Sequence, residues 1–150
     1  MKQASQWCSP ACDTSGTEMH IGAVTRVVRD YDEAIAFFVD ALGFTLIEDT
    51  VLSPDKRWVR VAARHGGVCL LLVKAANSEQ AARIGDQTGG RVGFFLHTDD
   101  FDADYAMMVA NGVRFREAPR MESYGKVAVF HDCSGNAWDL LGLTAPSSRS

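Results

Sequence analysis

The chain has no apolar run approaching the ~20 residues that a membrane-crossing helix needs; its longest stretches, such as Val68–Val73, have the length of a strand. It has no excess of basic charge. Fifteen Lys and Arg stand against nineteen Asp and Glu, a formal charge of −4. That argues against a nucleic-acid surface, which would need a basic stripe. The segment Met1–Glu18 contains no apolar core of the kind a secretory signal has, so a cytoplasmic location is expected. In that compartment Cys8, Cys12, Cys69 and Cys133 read as reduced thiols, not a disulfide framework. The spacing of Cys8, Cys12 and His20 matches no zinc pattern, and Met1–Glu18 reads as a mobile tail. Also missing are a Gly-x-Ser-x-Gly nucleophile elbow, a phosphate-binding glycine loop and a His-Glu-x-x-His helix.

What is present fits one folded domain spanning 19–143. The 150 residues are 47% hydrophobic and 23% charged, enough to exclude disorder and to build a substantial core. Arg26, Arg29, Arg60, Arg64, Arg114 and Arg116 alternate with apolar positions and read as solvated strand faces.

The chain also contains a duplication. Asp30–Val39 resembles Asp100–Val109, 70 residues further on. Each copy then reaches a glycine, Gly43 or Gly112, followed by a strand-like run. Val59-Arg60-Val61 aligns with Val127-Ala128-Val129, and Gly67 with Gly135, at an offset of 68. The modules are placed at about 20–75 and 91–143.

Each module reads β-α-β-β-β. Ile21–Arg29 and Arg91–Thr98 are rich in Val and Phe and predict strands. Ala34, Phe37, Phe38 and Ala41 recur at helical spacing, as do Phe101, Tyr105, Met108 and Val109. Asp30 with Glu33 predicts a capping box, and Gly43 and Gly112 predict left-handed helix ends. Strands are expected at about 44–51, 57–63 and 67–73, then 113–117, 126–131 and 136–142. A linking helix is expected over about 77–86, and a frayed end at 144–150. One helix per four strands covers one face of a sheet, so the other face must be buried or line a cleft.

The segment Val27–Phe38, ending in Leu42-Gly43-Phe44, resembles the first module of the vicinal oxygen chelate superfamily. Tyr124-Gly125, Val129-Phe130-His131-Asp132 and Gly135-Asn136-Ala137-Trp138-Asp139-Leu140 resemble its second. That group includes glyoxalase I, bleomycin-resistance proteins, fosfomycin-resistance enzymes and extradiol dioxygenases. The resemblance implies an α+β fold of two tandem βαβββ modules, forming a cleft in a homodimer. It also implies four metal-ligand positions, which fall here on Ala23, Leu71, Gly93 and Asp139. Three of these cannot donate to a metal through a side chain, and one carboxylate does not make a divalent-metal site.

The expectation is therefore a metal-independent protein, with no cofactor, that sequesters a small, mostly apolar organic compound, neutral or cationic, as bleomycin-resistance proteins do. Thr25, Leu71, Phe95, His97, Ser123, Tyr124, Val129 and Asp139 are the expected ligand contacts. Two alternatives stay open. One is a glyoxalase- or dioxygenase-type enzyme with a metal relocated to His97, His131 and Asp139. The other is a metal-free acid–base catalyst using His97 and Asp139. The plainer readings make Asp139 the partner of a backbone group or an Arg, and His97 a core histidine beside the helix start. Trp58 and Trp138 are expected beneath the helices.

Overall fold

In the computed structural model the described residues are Met19–Thr144; the tail readings for Met1–Glu18 and for 145–150 fall outside them. The described chain divides into two compact units, the first ending at Arg83 and the second beginning at Ile84.

The first unit runs β1 (Ala23–Val28), α1 (Tyr31–Ile35), a π-helical segment Ala36–Ala41, β2 (Thr45–Ser53), β3 (Lys56–Ala62), β4 (Cys69–Lys74) and a short α2 (Ser78–Ala81). Its sheet has the order β1-β4-β3-β2, with β1 parallel to β4 and the remaining pairs antiparallel. The second unit runs β5 (Phe94–His97), α3 (Phe101–Ala110), β6 (Arg114–Phe115), β7 (Arg120–Glu122), β8 (Gly125–His131) and β9 (Ala137–Leu143). Its order is β5-β9-β8-β6, with β7 also pairing β8.

Of the local signals that predicted the helices, the N-caps and the glycine turns are present, while the expected capping box is only half formed. Asp30, Asn77 and Asp100 each cap a helix by accepting from the backbone N–H three residues on. Glu33 accepts from Arg29 at 2.9 Å. Gly43 and Gly112 adopt φ +80° and +90°, the left-handed turn that ends each helix.

Each helix covers one face of its own sheet. In the first unit α1 packs on β3 and β4, over Val59, Val61 and Leu72, all fully buried. In the second, α3 packs on β9. Phe94, Trp138, Phe130 and Phe115 run in register beneath it, with ring centroids 4.5–5.6 Å apart.

Several expectations need correcting. The linking helix is one turn, not 77–86. It tightens at Arg83, whose N–H bonds Gln80, and Gly85 then turns at φ +80° with its Cα against the Ser134 carbonyl, where a Cβ would lie at 2.4 Å. The strand expected at 113–117 is two residues long, and a further strand, β7, follows Pro119, which has no N–H to continue a ladder. Arg26 and Arg60 are not solvated: they are 7% and 1% exposed.

The alignment of β3 with β8 is displaced by one residue. Leu71 pairs with Arg60, whereas Asp139, 68 residues after Leu71, pairs with Val129. Arg60 therefore matches Val129, not Ala128. A one-residue slip reverses every side chain of a strand. Trp58 thus shares the face of Arg60 and Leu71, away from α1, and is not beneath the helix as expected. Trp138 is beneath it, at 3% exposure.

Candidate functional site

The four positions at which the family resemblance places metal ligands fall on equivalent strands of the two units. Ala23 pairs with Cys69 and Thr25 with Leu71 in the parallel β1–β4 ladder. The Gly93 N–H bonds the Ala137 carbonyl, and Phe95 pairs with Asp139 in the parallel β5–β9 ladder. The duplication is therefore exact in register here, and the Ala23, Leu71 and Asp139 side chains lie on the faces away from the helices. A methyl, an isobutyl group and a hydrogen supply no donor, so only Asp139 could touch an ion. These residues do not fit the metal of the family's enzymes. Among the described residues no group of three or more His, Cys, Asp and Glu is placed to hold one.

The relocated set does not converge either. On β9 the partner of His97 is Leu141 and that of His131 is Ala137, so the two imidazoles flank Asp139 on opposite sides along the strand. Four residues of strand span ~13 Å. His131 also turns its Nδ1 to the Gly135 carbonyl, at 3.2 Å.

Asp139 is the distinctive group of the second unit. It sits between Phe95 on β5 and Val129 on β8. Its Oδ1 is buried and has no hydrogen-bond partner among the described residues, so no described backbone group or Arg satisfies that oxygen. Burial pushes its carboxyl above the ordinary aspartate range, and the charges of Arg120 and Arg116 pull it only partly back. Arg120 is committed to Glu122 and Glu117. Arg116 is hydrogen-bonded through its N–H to Val129, which places it one strand beyond Asp139's neighbour.

Around this carboxyl the surface is mixed. Val127, Val129 and Leu141 are buried, and Phe95 is 58% exposed. His97 is exposed, so it is not a core histidine; the helix start is tied instead by Thr98, which donates to Asp104 and accepts from the Asp100 N–H. Phe95, Val129 and Asp139 thus form one row, with His97 one step along it. Ser123 and Tyr124 are the exposed turn between β7 and β8, at the far end of β8 from that row.

In the first unit Thr25 and Leu71 share a row with Arg60 and Glu48. Arg60 donates twice to one oxygen of Glu48, at 2.8 and 3.3 Å. Arg60, then Thr50, with a further donation from Trp58, hold Glu48 below the ordinary glutamate range. This ionic row went unforeseen because the alternation of Arg60 with Val59 and Val61 reads as a solvated strand face.

Asp132 also went unforeseen. It is 8% exposed and accepts from the Ser134 and Asn136 N–H groups, the Asn136 amide and the Trp138 indole. It shapes the β8–β9 turn and so the register that carries Asp139. The signal was an aspartate opening a turn before Gly135-Asn136, where carboxylates commonly bind backbone N–H groups two residues on.

Two sheets built from a repeated βαβββ unit, each with one helix-covered face, define a duplicated α+β class of protein. Known proteins place it further. Residues 20–140 match the model of the Glyoxalase/Bleomycin resistance protein/Dioxygenase superfamily, and the chain belongs to that family. An uncharacterized protein of Shewanella frigidimarina is 52% identical over 122 residues, which cover 80% of this chain and 90% of that protein. The crystal structure of UcmS2 superposes with a TM-score of 0.72 at 29% identity, covering 84% of this chain and 99% of the other. TnmS3, an antibiotic binding protein from Streptomyces sp. CB03234, gives 0.66 at 29% identity over 84% and 97%.

Proposed function

We propose that this protein binds a small, mostly apolar organic molecule without a metal and acts by lowering its free concentration. The observation that carries this reading is the buried, unpartnered Oδ1 of Asp139 among apolar neighbours. A buried acceptor left without a partner costs about 1–3 kcal/mol, a cost that a ligand N–H or O–H donor would remove. A cationic donor suits it best, with Phe95 offering an exposed ring beside the carboxyl. Within the second unit Val129 supplies apolar contact, His97 polar contact, and Ser123 and Tyr124 the rim. The likeness to an antibiotic binding protein supports a binding role. The family resemblance adds a homodimer to the proposal.

A second reading rests on one specific placement. His97 and Asp139 are diagonal neighbours on the same face of the β5–β9 ladder, a relation that puts side chains ~7–8 Å apart. A substrate bridging them would meet an acid–base pair, and the protein would then be a metal-free catalyst.

Native mass spectrometry of protein taken directly from cells tests these readings together. Binding predicts a retained organic molecule in stoichiometric amount, unaffected by chelator and lost in Asp139→Asn. A stoichiometric transition metal would sink the proposal. Turnover of the retained molecule, abolished in both His97→Ala and Asp139→Asn, would establish the second reading.

A further inference from the structure

The first unit contains a separate cavity of about 560 Å³ at the end of its sheet. It lies where the β2–β3 turn, the end of β4, the first residue of α1 and Gln80 of α2 meet. That volume is within the ~300–1,000 Å³ of ordinary small-molecule sites. We propose that it is a second binding site, selective for an oxyanion, carboxylate or phosphate, carried on a compact apolar body.

The chemistry of the lining is one-sided. Lys56 and Lys74 both line the cavity, and neither ammonium group has an ion pair or hydrogen bond among the described residues. The amide of Gln80 is oriented, because its Oε1 accepts from the Ala76 N–H at 2.8 Å. Its Nε2 is therefore left to donate. Tyr31 adds a phenol whose ring is held in place, 6% exposed, under the Arg57 guanidinium at 5.2 Å. Arg57 does not compete for an anion: it already binds Asp49 through two nitrogens and Asp32 through a third contact. Against these four donor side chains stands one carboxylate, Asp55, in the turn. Val73 and the Ala75 and Ala76 methyls provide the apolar wall.

Two point charges and two neutral donors around one cavity suit a group with several acceptor oxygens. The preference is opposite in sign to that proposed for Asp139, so the two sites would not take the same molecule.

The test is a titration of the full chain with phenyl phosphate, followed by amide NMR shifts, with inorganic phosphate and benzyl alcohol as separate arms. Saturable shifts at Lys56, Lys74, Ala76 and Gln80 are expected with phenyl phosphate, weaker with inorganic phosphate and absent with the alcohol. Raised salt should weaken the binding, and the exposed double variant Lys56→Ala/Lys74→Ala should weaken it at least about tenfold. Binding strongest with benzyl alcohol would overturn the anion assignment. So would affinity unchanged in the double variant, or no saturable shift at these amides with either phosphate.

Discussion

The row Thr25, Leu71, Arg60, Glu48 in the first unit and the row Phe95, Asp139, Val129, Arg116 in the second occupy the same places in the two ladders. Both contain one acid and one arginine. In the first unit they stand on adjacent strands and bond directly, and Glu48 is stabilised as an anion. In the second, Val129 stands between them. Strands lie ~4.8 Å apart, so the two backbones are ~10 Å apart. Asp139 then feels Arg116 only through space, and burial dominates its ionisation. One backbone pattern therefore yields a satisfied ion pair in one copy and an unsatisfied carboxyl in the other, and the difference is the position of one charge.

The largest expected effect comes from the β-turn before the last strand of each unit, which the two copies build differently. Asp132 organises it in the second unit. The first has Arg64 68 residues earlier, with Gly66 and Gly67 at φ +92° and +100°. Asp132→Ala should lower stability by roughly 3 kcal/mol, since it strands several buried donors, the Trp138 indole among them. A urea melt checks this, with the midpoint falling at unchanged slope. A loss no greater than that of an ordinary surface substitution would remove the contrast between the turns.

Next comes the ionic row. Arg60→Ala should cost about 2–3 kcal/mol through lost packing of a buried side chain. Arg60→Met, which keeps the volume, should cost less than about 1 kcal/mol because Glu48 retains Thr50 and Trp58. If both variants lose the same amount in calorimetry, charge and not packing is what Arg60 contributes.

The helix-ending glycines compare at closer range. Gly43→Ala and Gly112→Ala should each cost roughly 1 kcal/mol for a side chain in the left-handed region. Gly43→Ala should cost slightly more, because a Cβ there meets the Arg64 guanidinium at 2.9 Å while at Gly112 it meets nothing within 4 Å. Equal melting shifts would mean that the guanidinium simply moves aside.

The smallest effect is also the most specific, because the two carboxyls should titrate in opposite senses. Glu48 has a lowered pKa in the fold, so its contribution is present above the ordinary glutamate range and is lost as pH falls through its folded value. Asp139 has a raised pKa, so the folded state holds its proton longer, and stability declines as pH rises from the ordinary aspartate value through the folded one. Melts across pH 3–7 should show Asp139→Asn gaining stability over the wild type as pH rises, and Glu48→Gln losing it. The same sign for both would contradict the electrostatic contrast between the rows.

The duplication itself was legible, and its imperfections explain where the reading failed. Asp30 to Gly43 is 13 residues and Asp100 to Gly112 is 12. The first helix absorbs the extra residue by widening into the π-helical segment Ala36–Ala41, where the Leu42 N–H reaches back to Phe37. A second extra residue lies between β3 and β4. The offset is thus 70 at β1 and α1, 69 on β3 and 68 on the last strand, whereas the alignment of Val59-Arg60-Val61 passed straight to 68. That single slip misplaced Trp58. Asp139 was singled out because the family resemblance places a ligand position four residues after Gly135, beyond both steps, where the offset is constant.

The repeated βαβββ pattern, the helix caps and the glycine turns were legible in sequence, because each depends on residues close in the chain. Which of two acids finds a cation, and which arginine is buried, was decided only by tertiary structure. Those outcomes depend on strand register, where a shift of one residue turns a side chain to the opposite face, and local sequence does not encode which residue of a distant strand will stand across from it.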